Sequence, residues 1–226
     1  MMLRFIICVL FTFPLAGQAQ RMWQPEVCVI SMLGKQRFIP GEMVVLNDDT
    51  LKCSELKMYL GSFSLLKSGK TVAQWPLDYF LIDFSDATTT SFRLPEVPFT
   101  DFDEVSFLIG VDSLLQVDGP HEGALDPAKG MYWTWQNGHI YVKMEGTSSK
   151  SPASNSSFAW HMGGYYGALN AAQRCMFPCS RKHMAITIDW TQFMGAFAME
   201  EQHHIMSPSS AAVRAMLLLQ EGVSVE

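Results

Sequence analysis

Histidine and methionine side chains that can bind a metal occur at two places in the second half of the chain. Within residues 158–162, strand alternation places His161 on the face opposite the aromatic side chains. His203, His204 and Met206 lie in a later segment that can bring imidazole and thioether groups to a common centre. Imidazole is the commonest protein ligand for transition metals, and thioether suits copper. We therefore predict a metal site at these four residues; a structural histidine and a solvated polar segment are the alternatives.

Two tryptophans, Trp133 and Trp135, stand two positions apart. Indoles at this spacing project from one side of a strand, close enough to share an electron hole if an external oxidant attacks. Core packing is the alternative interpretation of the pair.

Carboxylates collect among glycines and prolines between residues 110 and 127, including Asp112, Asp118 and Asp126. Oxygen ligands of this kind suit calcium, but their spacing does not follow the alternation of an EF-hand loop. An acidic surface loop is the alternative to a calcium site.

Four cysteines follow the N-terminal apolar run, and four thiols in an exported chain indicate two disulfides. Spacing leaves three connectivities open. We predict local pairing, Cys28 with Cys53 and Cys175 with Cys179, because a proline in the second interval indicates a tight loop. The alternative is a thiolate copper or zinc site, although the second interval lacks the spacing of ordinary zinc knuckles.

Composition and motifs exclude several classes of function. The chain has 226 residues, 16 basic and 22 acidic, with a net charge of −6 and scattered basic residues, so a nucleic-acid surface is not expected. No G-x-S-x-G, H-E-x-x-H, phosphate-loop or dinucleotide motif occurs. We therefore expect a protein that is not an enzyme.

Residues 1–19 are typical of a signal peptide, because Arg4 precedes an apolar run and small residues stand before a cleavage site after Ala19. The run is too short to span a membrane as a helix, and no later stretch is long enough. We expect a periplasmic or secreted protein of a Gram-negative bacterium, with residues 20–226 as a single domain.

The remaining sequence predicts a β-sandwich closed by one short C-terminal helix. Strands are predicted at residues 27–33, 42–46, 56–65, 80–84, 91–94 and 104–111, with turns at Gly34, Asp48-Asp49 and Ser68-Gly69. The Ser-rich residues 146–157 are predicted to form a surface loop. Ser209 and Gly222 bracket the apolar residues 211–219 as a helix cap and stop.

A hairpin is predicted over residues 131–144, because Asn137-Gly138 is a type I′ turn signal. A two-residue turn would place three pairs on one apolar face: Met131 opposite Met144, Trp133 opposite Val142 and Trp135 opposite Ile140. Both tryptophans would then point into the core.

The chain resembles the MbnP-like family. Three segments carry the resemblance: Gly110-Val111-Asp112-Ser113, Gly130-Met131-Tyr132-Trp133-Thr134-Trp135 and Phe158-Ala159-Trp160-His161-Met162-Gly163-Gly164. Residues 203–208 match the family more loosely. After the histidine, the sequence has Tyr165-Tyr166-Gly167-Ala168 instead of the cysteine-bearing run of methanotroph members. In this respect it is similar to the branch found in Bacteroidetes-type bacteria.

The resemblance implies an exported β-sandwich that binds copper. The family is named for a periplasmic protein associated with methanobactin, a copper-chelating peptide. Its members are commonly paired with a di-haem cytochrome c peroxidase-like protein that oxidises a tryptophan to kynurenine. By resemblance, the modified residue here is Trp133 or Trp135, and His161 is the best matched imidazole. A metal-free or calcium-braced β-sandwich that binds a protein or a glycan is the alternative function.

Overall fold

The structure is a computed structural model, and it describes residues 21–98, 101–136 and 138–226. The described residues form two main β-sheets, of nine and five strands, and a separate two-stranded ribbon. This architecture confirms the predicted all-β sandwich with a short C-terminal helix. The predicted signal peptide, residues 1–19, lies outside the described residues.

The strands and helices have the following bounds. The first eight strands are β1 (Met22–Trp23), β2 (Glu26–Leu33), β3 (Gln36–Arg37), β4 (Met43–Leu46), β5 (Asp49–Lys67), β6 (Lys70–Asp83), β7 (Ser91–Arg93) and β8 (Val97–Pro98). The other eight are β9 (Glu104–Ile109), β10 (Tyr132–Trp133), β11 (Gly138–Ser148), β12 (Ser157–Gly163), β13 (Gln173–Pro178), β14 (His183–Asp189), β15 (His204–Ile205) and β16 (Val223–Val225). The helices are α1 (Ser113–Val117), α2 (Thr191–Met194) and α3 (Ser210–Glu221).

The nine-stranded sheet is built around β5, which pairs with β4, β6, β9 and β11. From β11 the sheet continues to β12 and then to β15, which is parallel to β12. The turns on either side of β5 contain Asn47-Asp48 and Ser68-Gly69, all with positive φ. This is the backbone of two-residue hairpins whose twist matches the strands. The first turn therefore begins one residue earlier than predicted.

The five-stranded sheet follows the order β16-β14-β2-β3, with β7 also paired to β2. Its inner face and α3 close the core, where Trp190, Phe193 and Met216 are fully buried. The Ser209 hydroxyl accepts a hydrogen bond from Ala212 N, as expected of an N-cap, and Gly222 follows the last helical residue. The predicted C-terminal helix is thus confirmed, and the strand β16 that follows it is an addition.

The hairpin register predicted from Asn137-Gly138 is wrong. Trp133 pairs with Gly138 and Tyr132 with His139, so four positions, not two, connect the strands. Gly138 lies within β11 and does not occupy a left-handed turn position. The register shifts by an even number of residues, so Met131 and Trp133 stay buried as predicted. Trp135 falls in the connection and is 64% exposed, so its predicted inward position is also wrong.

Neither predicted disulfide is formed: the four described cysteines are free. Cys28 is exposed on β2 of the smaller sheet, whereas Cys53 is buried in β5 of the larger one. A tight loop was expected after Cys175, but Cys175 lies within β13, which stays extended to Pro178. At about 3.3 Å per residue, Cys179 lies roughly 13 Å from Cys175, well beyond the ~7 Å that a disulfide spans.

The Ser-rich segment is more ordered than a surface loop. Residues 146–148 extend β11, and the hydroxyls of Ser148 and Ser149 donate to the Asp49 carboxylate at 2.6 and 2.8 Å. Only residues 149–156 connect β11 to β12. Within the described parts of the chain, no helix is long and apolar enough to cross a membrane.

Candidate metal centre

One face of the larger sheet carries a row of charged side chains that ends at His161. The pairing aligns Asp83, Lys57, Lys143 and His161 across β6, β5, β11 and β12. The adjacent row aligns Glu55, Glu145, Ala159 and His204 across β5, β11, β12 and β15. Opposite charges therefore alternate along β5 and along β11, whereas like charges stand opposite each other across these two strands, so the ion pairs form along a strand or diagonally.

Ion pairs connect these side chains. Lys143 Nζ lies 2.9 Å from Glu55 Oε2 and 3.4 Å from Glu145 Oε1. Lys57 Nζ lies 2.8 Å from Glu55 Oε1 and 3.5 Å from Asp83 Oδ2. The Lys143 side chain is only 14% exposed, so the network is largely withdrawn from water.

His161 is fixed by one ring nitrogen and leaves the other available. Its Nε2 lies 2.7 Å from Glu145 Oε1, while its Nδ1 is buried without a hydrogen-bond partner among the described residues. Burial lowers the pKa of His161, an effect that Glu145 partly opposes. When Nε2 carries the proton and donates to the carboxylate, the lone pair of a neutral imidazole is on Nδ1. A carboxylate in this position is the usual second partner of a metal-binding histidine.

The second predicted segment lies next to His161. His204 is paired with Ala159, so it projects from the same face as His161, roughly 8 Å away in Cα position. His203 is the neighbouring residue; the two rings lie 4.8 Å apart, and His203 Nδ1 is buried with no partner among the described residues. Met206 follows β15 and is 48% exposed. The structure therefore places the segment with His203, His204 and Met206 beside β12, the strand that carries His161.

Trp133 lies against the end of β12, the strand that carries His161. A Cβ added at Gly163 would be 2.8 Å from the Trp133 ring, so the indole rests directly on the backbone of β12. Gly163 is two residues from His161 and faces the same side of the strand. Trp133 is 5% exposed, and its Nε1 has no hydrogen-bond partner among the described residues.

The other predicted ligands are not brought together. Asp112 and Asp126 each cap a short helical turn, accepting from Leu114 N and Ala128 N, and Asp118 ends α1. Burial raises the pKa of Cys53 and Cys175 to about 12, which keeps both thiols protonated at neutral pH. Across the described residues, no group of three or more His, Cys, Asp or Glu side chains is arranged to hold a metal ion.

The charged partners of His161 were not predicted from the sequence. Their signal is the pair of charges two positions apart in each of two otherwise buried strands, Glu55 with Lys57 and Lys143 with Glu145. Gln116 was not predicted either; it is 2% exposed and accepts a 2.8 Å hydrogen bond from His139 N. His139 is itself buried, with Nε2 3.0 Å from the Leu125 carbonyl.

Comparison with known proteins agrees with the resemblance. The family model MbnP matches residues 28–207. The solved structure of MbnP from Methylosinus trichosporium superposes with a TM-score of 0.63 at 15% identity, covering 85% of this chain and 87% of that chain. No curated protein matches the chain. The structural likeness shows a shared fold, and the family model covers most of the sequence. The chain therefore belongs to the MbnP family.

Proposed function

We propose that this protein is an exported, non-enzymatic copper-binding protein. The ligands are the Nδ1 atom of His161, an imidazole from His203 or His204, and the Met206 thioether. The observation that carries the proposal is the state of His161: one nitrogen is held by Glu145 and the other is buried without a partner among the described residues. A buried nitrogen lone pair without a donor is costly to desolvate, and a metal ion would satisfy it.

The donor set supports copper over harder metals. Imidazole nitrogen with thioether sulfur suits copper, whereas calcium and magnesium require oxygen ligands. The lowered pKa of His161 keeps its imidazole neutral at physiological pH, which is the form that binds a metal. His203 Nδ1 provides a second buried nitrogen without a described partner.

Oxidation of Trp133 to kynurenine would complete this ligand set. The described side chains supply fewer imidazole, thiolate and carboxylate groups than a closed site needs. The Trp133 ring contacts Gly163, which is two residues from His161 on β12. Kynurenine carries an aromatic amine and a ketone where tryptophan has an apolar ring, and so offers further donor atoms. The oxidising partner we propose is a di-haem cytochrome c peroxidase-like protein in the periplasm.

The test is copper affinity, measured by competition with a chelator, in His161→Ala. We expect at least a tenfold loss of affinity, because the variant removes the ligand that the sheet positions most firmly. An affinity within about threefold of wild type, a difference of less than about 0.7 kcal/mol, would show that His161 is not a principal ligand.

The matched control is His183→Ala. His183 is also a strand histidine paired with a glutamate, at 2.8 Å from Glu26, but it is 80% exposed on the smaller sheet. Its substitution should leave copper affinity unchanged.

Mass spectrometry of the natively purified protein tests the oxidation of Trp133, since tryptophan-to-kynurenine conversion adds about 4 Da, by gain of one oxygen and loss of one carbon.

A further inference from the structure

Trp135 differs from every other tryptophan in the chain. All six tryptophans are among the described residues, and Trp135 alone is exposed, at 64%. Trp75, Trp133, Trp160 and Trp190 are each at most 5% exposed, and Trp23 is half-buried. Most of the Trp135 side chain is therefore open to water and to molecules outside the protein.

The exposed indole is also next to the buried one. The ring centroids of Trp133 and Trp135 lie 6.1 Å apart with an interplanar angle of 47°. Electron transfer between aromatic rings weakens steeply with distance, and these two rings are in contact range. An oxidant that cannot enter the core can therefore take an electron from Trp133 by way of Trp135.

The surroundings of Trp133 favour chemistry at that residue once it has lost an electron. An oxidised indole normally loses its Nε1 proton, but Trp133 Nε1 is buried with no acceptor among the described residues. The proton is retained and the ring stays an electrophilic radical cation. Burial disfavours this charged form, so electron transfer from Trp133 to Trp135 is reversible.

We propose that Trp135 is a surface relay through which Trp133 is oxidised. Trp135 gives one electron to a one-electron oxidant outside the protein, of the high-valent haem class, and becomes a radical cation. Trp133 then gives one electron to Trp135, which returns to the neutral indole. The net change is one electron gained by the oxidant and one lost by Trp133, with no proton moved. This inference rests on the proposed oxidation of Trp133.

The experiment uses an oxidant too large to enter the core, photogenerated tris(bipyridine)ruthenium(III), on the metal-free protein. Oxidation at positions 133 and 135 is located by peptide fragmentation in the mass spectrometer. We expect Trp135→Phe to lower oxidation at Trp133 at least tenfold, because phenylalanine is much harder to oxidise. Trp135→Tyr should restore a substantial part of the oxidation at Trp133, since a tyrosine side chain can also be oxidised to a radical. Because position 135 is exposed, neither variant should alter thermal unfolding.

Trp75→Phe is the control, since it removes a buried indole that donates to the Pro95 carbonyl on another part of the sheet. It should leave oxidation at Trp133 unchanged. Oxidation of Trp133 in Trp135→Phe within about twofold of wild type would overturn the relay, as would oxidation confined to Trp135. The outcome is separable from the copper proposal, because no metal is present and His161→Ala is scored on binding alone.

Discussion

Packing alone does not explain the buried position of His161. His161 is 6% exposed, yet one of its two nitrogens has no described partner. The other is held by Glu145, which is in turn held by Lys143. Glu145 therefore orients the imidazole, and the cost of burying Lys143 and Glu55 is offset by their mutual pairing.

Glu145→Gln should weaken copper binding by about tenfold or more, because the amide no longer fixes the His161 tautomer through a charge-assisted hydrogen bond. Competition titration measures the affinity. Glu55→Gln is the matched control: Glu55 also pairs with Lys143, but the His161–Glu145 bond does not involve it. Equal effects of the two variants would mean that the charged network acts on stability and does not orient His161.

At the scale of elements, the β10–β11 hairpin shows what a local signal can and cannot predict. Asn137-Gly138 identified the connection, because no other dipeptide in residues 131–144 favours a tight turn. The register depended on contacts made far along the chain. Gly138 pairs with Trp133, where an added Cβ would be 3.5 Å from Tyr165, and Trp133 rests on Gly163. Neither contact is visible in the hairpin sequence.

Gly163→Ala should destabilise the protein by about 1–3 kcal/mol, because the new methyl overlaps the Trp133 ring and the His139 carbonyl oxygen at 2.8 and 2.7 Å. Urea unfolding followed by tryptophan fluorescence measures this. The control, Gly138→Ala, meets its nearest neighbour at 3.5 Å and should cost less than about 1 kcal/mol. A fully stable Gly163→Ala protein would contradict the contact between Trp133 and β12.

For the whole molecule, the sequence predicted the sandwich well, because the alternation of apolar and polar residues indicates which side of each strand is buried. The predicted strands at residues 27–33, 42–46 and 104–111 each correspond to a strand in the structure. Alternation also placed His161 opposite Trp160, which is 1% exposed in the core. Pairing between distant strands was beyond local patterns, so the alignment of Glu145 with His161 and of His204 with Ala159 could not be predicted. The same limit explains the incorrect disulfides, which assumed proximity from chain spacing.

Stability should fall as the pH drops below neutrality, because two buried histidines resist protonation. Burial lowers the pKa of His139, and nearby His121 adds to this, although the Leu125 carbonyl partly opposes it. In the unfolded chain His139 takes up a proton near pH ~6.5, so below that value the unfolded state binds a proton that the folded state does not. The free energy of unfolding must therefore decrease as the pH falls through this range, and His161, with its lowered pKa, adds to the same slope.

Urea unfolding of the metal-free protein at about pH 7.5 and about pH 5.5 measures this difference in the free energy of unfolding. His139→Gln should reduce the difference whatever its own stability, whereas His183→Gln, at an 80% exposed position, should retain it. Equal wild-type stability at both pH values would mean that these imidazoles are free to protonate in the folded state.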